Sequence, residues 1–250
     1  MNAAEQQAYW LKFHRFQMRF ENQFVQPFNL AIQEQYNHFI ESGTTYSVHP
    51  EPIYKVLVKL WSELPMQWAK QVVKRAKVEK DGGQMGFSEI INRLMQAYFE
   101  TQLLQDAENI TQTTIDYIQR ILKESSVNGK GHNWVVQQLK DSQISATRAR
   151  LISRTETTGA SNYAALMAAN ADNLYYDKTW IASKDNRTRD SHRPPLDGTT
   201  IHNEDHFNVG GYQMMYPGDK AGGPDQVCNC RCCLGFTARR DENDRLLFKP

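Results

Sequence analysis

A chain of 250 residues with 29 Lys+Arg against 28 Asp+Glu, 40% hydrophobic and 11% aromatic residues, holds apolar material for one large domain or two modest ones. Balanced charge excludes a globally basic nucleic-acid binder, though not a local basic patch, and ordinary hydrophobicity excludes wholesale disorder. No apolar run approaches the roughly 18 residues of a membrane helix, and Lys12, Arg15, Arg19 and Glu21 break up the start, so a soluble, non-secreted protein is expected.

From Ala3 to about Asn170 the pattern is helical. Tyr9, Phe13, Phe16, Phe20, Phe24, Phe28, Ile32, Tyr36 and Phe39 step by three or four residues, which places them on one face of a 3.6-period helix. The stripe keeps its phase through Pro27, predicting one long helix kinked there. Such a face either docks a partner or packs on the chain's own helices, and the second role is the usual one. Ser42, Gly43 and His49-Pro50-Glu51-Pro52 close that helix, and Ile53, Val56, Leu57 and Leu60 begin another, expected to break or restart at Pro65. Asp81-Gly82-Gly83 reads as a further break, with Ser88 as N-cap of a helix carrying Ile91, Leu94, Met95 and Tyr98. Helices over Thr111–Lys123, around Trp134–Leu139 and from about Ser145 to Asn170 complete the series, with a turn at Asn128-Gly129-Lys130-Gly131.

Beyond Asp172 the rhythm changes. Leu174, Tyr175, Tyr176, Thr179, Trp180 and Ile181 read as strand, and glycine and proline then cluster as far as Pro224. The expected fold is α+β: a mainly helical N-terminal two-thirds, then a compact turn-rich module with short strands. The expected boundaries are 1–142 for the helical region, 143–236 for a module opened by the long helix, and 237–250 for a polar tail.

The four cysteines, Cys228, Cys230, Cys232 and Cys233, all fall within six positions. Crowded together they close no useful loop, and near neighbours strain disulfide geometry, so a reducing compartment is expected. Thiolates of Cys230 and Cys232 with the imidazole of His192 are candidate Zn²⁺ ligands, although one residue between cysteines is not the common spacing; Cys230 and Cys233 have two between them. His202 and His206 could join only from a helix, which Asn203-Glu204-Asp205 opposes. A second reading has a cysteine nucleophile activated by His192, as in a metal- or thiol-dependent hydrolase. A third has the cysteines as small buried packing groups within a scaffold of Arg, Asp and His, and it stands ahead of the metal. Lys70, Lys74, Arg75, Lys77 and Lys80, set against Glu79, and separately Arg148, Arg150 and Arg154, are candidate phosphate contacts. A solvated helix face explains both clusters as well, with a DNA-binding accessory factor as the functional alternative.

The order of features carries more than any single one. Arg154-Thr155-Glu156 and Asn162 lie on a helix. They are followed by Trp180-Ile181, Asp185-x-Arg187-Thr188-Arg189-x-x-His192, Leu196-Asp197-Gly198, Tyr216-Pro217-Gly218-Asp219 and Asn229-Cys230-Arg231-Cys232. From about Thr111 to Phe236 this string resembles the phage Mu F-like family of minor head proteins, also described as phage head morphogenesis proteins. Cys228 and Cys233 are additions around its Asn-Cys-Arg-Cys core. The resemblance implies a structural virion component, not an enzyme, of a tailed double-stranded DNA phage or prophage. It would be assembled in the host cytoplasm, sit with the portal or major capsid protein near packaged DNA, touch no membrane, and act in head morphogenesis or DNA release. Some relatives carry a C-terminal effector; with 17 residues after Cys233, none is expected here.

Overall fold

A computed structural model describes residues 1–76, 92, 93 and 95–249, without the side chains of 73–76 and 142. The expected break at Asp81-Gly82-Gly83, the Ser88 cap, Ile91 and Leu94 lie outside these. The helices are α1 (Ala3–Ser42), α2 (Glu51–Ala76), α3 (Leu104–Val127), α4 (His132–Leu139), α5 (Ser142–Ala171) and the short α6 (Gly223–Val227), with a π-helical turn Phe99–Leu103 leading into α3. The strands are β1 (Tyr176–Ile181), β2 (Thr200–His202), β3 (Phe207–Val209), β4 (Tyr212–Met214) and β5 (Cys233–Ala238). Mostly N-terminal helices followed by short antiparallel strands make the fold α+β. Among the described residues no helix is long and apolar enough to cross a membrane.

Two compact units divide the chain. One comprises Met1–Glu21, Trp61–Met95 and Arg154–Pro250, and the other Asn22–Leu60 and Gln96–Ser153. The long helices α1, α2 and α5 each contribute to both.

In the second unit, Phe24, Phe28, Ile32, Tyr36 and Phe39 of α1 are buried, as are Ile53, Leu57 and Leu60 of α2 and Ile118 and Ile121 of α3. Burying aliphatic and aromatic side chains at this density contributes roughly 1.5–3 kcal/mol for each. A polar hub sits inside that apolar set. Gln35, fully buried, donates to the His49 carbonyl at 2.7 Å and to Thr111 Oγ1 at 2.8 Å, and accepts from Thr114 Oγ1 at 2.9 Å. Arg148 of α5 donates to the Tyr36 hydroxyl at 3.0 Å, to Thr113 Oγ1 at 2.8 Å and to Thr114 Oγ1 at 3.1 Å.

In the first unit, Tyr9 and Phe13 are buried and Phe16 is half-buried; their rings lie 6.0, 5.2 and 4.9 Å from that of Trp68. The stripe is therefore core, and none of it is left over as an open docking face. The expected break at Pro65 does not occur, and α2 runs through it. Trp61, Leu64, Trp68 and Ala69 flank the proline in unbroken phase and are all buried, which outweighs the one backbone hydrogen bond that proline removes.

Strands β2-β1-β5 form an antiparallel sheet with β1 central, pairing Thr179 with Thr200 and Ile181 with Cys233. A separate hairpin pairs β3 with β4 around Gly210-Gly211, both at positive φ (59° and 94°), as a two-residue primed turn requires. Trp180, Leu196, Phe207, Val209, Met214, Tyr216, Val227 and Leu234 pack with Leu166 of α5 into one cluster that includes Cys230 and Cys232. After β5 the polar tail doubles back on itself through a turn with Asp244 at φ 62°, which sets Arg240 antiparallel to Leu246, and the bridge Leu174–Phe248 ties its end back.

Candidate functional site

Helix α5 is built from small residues where it enters this unit. Thr157, Thr158, Gly159, Ala160, Ser161, Asn162, Ala164 and Ala165 are all buried, so backbone from other segments approaches it closely. Gly218 (φ +91°) shows this best: a Cβ there would lie 2.7 Å from Gly159 Cα.

Onto this helix the loops are tied residue by residue. Arg154 forks onto Glu21 (Nε–Oε2 3.0 Å, Nη2–Oε1 2.6 Å) and donates to Asn229 Oδ1 at 2.6 Å, a bidentate charge-assisted pair. Thr155 Oγ1 accepts from the Asn229 backbone N–H at 2.9 Å, holding that residue at φ 60°. Glu156, buried, pairs with Lys220 at 2.6 Å. Thr158 Oγ1 donates to the Cys230 carbonyl at 2.8 Å and accepts from Gln17 Nε2. Asn162 Nδ2 donates to the carbonyls of Thr158 (3.1 Å), Pro217 (3.0 Å) and Cys232 (3.0 Å), while Oδ1 accepts from Leu234 N–H at 2.9 Å.

The 185–198 segment is fixed in the same manner. Asp185 accepts the Arg231 guanidinium through both oxygens (2.6 and 3.0 Å) and caps its own turn through the Arg187 N–H at 3.0 Å. Thr188 bonds Ser183. Asp197 accepts from the Ala182 N–H at 2.9 Å and pairs with Lys184, and Gly198 takes the left-handed turn at φ 87°. Arg187 differs: its side chain is 60% exposed and its approach to Asp185 is 4.0 Å.

His192, Cys230 and Cys232 converge. Their ligand atoms lie within 4.8 Å of one another and all three residues are buried. His192 Nδ1 is 3.8 Å from Cys230 Sγ and 3.5 Å from Cys232 Sγ. The hydrogen bond between the two sulfurs holds the Cys230 thiol well below its ordinary range and pushes Cys232 well above it, with burial raising both. Burial first, then the neighbouring Cys230 and Asp197 charges, push Cys233 well above its ordinary range. Cys233 does not join the three, and Cys228 is exposed.

Other candidates fall elsewhere. His202 ends β2, where it is exposed and bonded to Asp177 at 2.8 Å; His206 lies exposed in the following turn, and no helix joins them. Arg148 and Arg154 are engaged internally, so the second basic cluster is not a solvent patch; Arg150 alone of it is exposed. Lys70 is exposed on α2, the side chains of Lys74 and Arg75 are not among those described, and Lys77 and Lys80 lie outside the described residues.

Some of the framework has no mark in the sequence. Gln226, which bonds His192 Nε2 at 3.2 Å, and Gln17 and Glu21 are ordinary polar residues in polar surroundings. Lys178 did carry a signal. It shares strand parity with Tyr176 and Trp180 and is fully buried, with Nζ donating to the Met215 carbonyl at 3.1 Å and lying 5.4 Å from the Phe207 ring centroid.

Residues 116–235 match the family model described as Phage Mu protein F like protein. No curated protein and no solved structure matches the chain.

Proposed function

Because residues 116–235 match the model of the phage Mu protein F-like family, we propose that this chain is a structural minor head protein of a tailed double-stranded DNA phage or prophage. It docks on the portal or on the capsid interior and serves head assembly or DNA release. One observation supports a structural over a catalytic part: the family-like side chains bond backbone and side chains of their own unit. Arg154, Thr155, Asn162, Thr188, Asp197 and Arg231 are engaged inside the unit, and the fully buried Asn162 spends its amide N–H groups on three carbonyls.

A hydrolase built on His192 with Cys230 or Cys232 is disfavoured by access, since these residues are 1%, 3% and 1% exposed and a nucleophile must reach its substrate. Packaged DNA is a neighbour of such a protein, and Lys70 is the member of the first basic cluster whose described side chain is exposed for a phosphate contact. The test is a phage or prophage from which the coding sequence has been deleted. The chain should co-purify with mature heads of the parent, and the deletion should yield few infectious particles. Heads that assemble, package and eject normally without it refute the proposal.

A further inference from the structure

The geometry points to a Zn²⁺ site formed by His192 Nδ1, Cys230 Sγ and Cys232 Sγ, which clamps the loop before β2 to the segment entering β5. A tetrahedral zinc with Zn–S of about 2.3 Å and Zn–N of about 2.0–2.1 Å sets sulfur and nitrogen about 3.6 Å apart. The two nitrogen–sulfur separations here are 3.5 and 3.8 Å. The donor set, two thiolates and one imidazole, selects zinc among the common divalent ions.

The surrounding groups orient these ligands for a cation. Gln226 donates its amide N–H to Asp225 at 2.8 Å, which turns its carbonyl oxygen toward Ser191 Oγ (2.7 Å) and His192 Nε2 (3.2 Å). A carbonyl only accepts, so Nε2 carries the ring proton and Nδ1 presents its lone pair to the sulfurs. This is the carbonyl–histidine–metal arrangement common around bound zinc. The sulfurs are placed as acceptors too. Cys230 Sγ takes the Cys232 N–H at 3.5 Å, and Cys232 Sγ takes a backbone hydrogen bond from Ser183. Two thiol protons leave to solvent as the Zn–S bonds form. Cys233 does not join the three, so the fourth position falls to a water, and the buried surroundings give the ion a structural task.

The full chain, expressed with zinc in the medium and purified without chelator, provides the test by elemental analysis, X-ray absorption at the zinc edge and thermal melting. About one zinc per chain is expected, with two sulfurs, one imidazole nitrogen and one further light atom around it. A strong chelator should lower Tm by about 10 °C or more, and Zn²⁺ should restore it. Cys228→Ser, outside the site, should keep its zinc, whereas Cys230→Ser should lose it. Protein nearly free of zinc, with a Tm that neither chelator nor Zn²⁺ moves, overturns the proposal. So does bound zinc whose first shell lacks two sulfurs, or zinc lost on changing Cys228. None of these readouts depends on where in a phage head the chain sits.

Discussion

Asn162 satisfies three carbonyls and one N–H drawn from α5, the turn at Pro217 and both sides of the entry to β5. Truncating it strands those groups in a buried setting, where each unmet group costs about 1–3 kcal/mol. Asn162→Ala is thus expected to destabilise the chain by more than about 3 kcal/mol in urea unfolding. Asn162→Asp should be nearly as harmful, because a carboxylate repels the carbonyls that the amide served. Lys178 works in the opposite sense. Burial pulls its pKa down to about 8, only partly offset by Asp205, Asp219 and Glu204. Between pH 8 and the ordinary lysine range the unfolded chain binds more protons than the folded one, so this residue makes stability rise with pH across that window. Below pH 8 both states are protonated and the full penalty of the buried charge remains. Lys178→Met should therefore raise Tm at pH 7 and abolish the part of the pH 8–10 rise that the parent shows, as measured by melting both proteins across that range.

At the level of elements, what could be read in the sequence tracks how many residues share one pattern. The α1 stripe spans many turns, so its face and its unbroken course through Pro27 were both legible. A strand of three residues such as β2, β3 or β4 offers too little alternation to register, although Gly210-Gly211 marks where the hairpin turns. Helix α5 was visible as a helix but not as the axis of its unit. Its buried face is made of Ala, Ser, Thr and Gly, which carry almost no hydrophobic signal, and its importance lies in letting backbone approach. The thiol–imidazole cluster was nameable by residue type, yet its convergence depends on pairings 38 and 40 positions apart, which no local pattern encodes. Close approach is testable at Gly218. A methyl there meets Gly159 backbone on a turn held at φ +91°, and neither side is a flexible side chain that could give way. Gly218→Ala is expected to cost about 2 kcal/mol or more in chemical unfolding. Gly131→Ala is the control: it has nothing within 4 Å of the added carbon and should stay within about 1 kcal/mol of the parent.

For the molecule as a whole, the balance between internal and outward-facing groups decides where a docking contact can lie. The aromatic stripe is buried, and most of the family-like string is bonded within its own unit, so a partner surface must use side chains that the fold leaves outward. Arg187 is such a residue: it belongs to that string, its side chain is 60% exposed, and its approach to the Asp185 carboxylate is 4.0 Å, a separation at which an exposed pair is worth little. A planar guanidinium held outward on a turn anchored by Asp185 is suited to a carboxylate or a carbonyl row on a neighbouring protein. Arg187→Ala should leave Tm within about 1 °C of the parent, since surface changes of this kind stay within about 0.5 kcal/mol. It should nonetheless lower the amount of chain recovered with purified heads, scored by immunoblot against the major capsid protein. Asn162→Ala should lose thermal stability and head incorporation together. If Arg187→Ala is incorporated at the parent level, the contact lies on another face, and the turn at 185–189 serves only the interior of its unit.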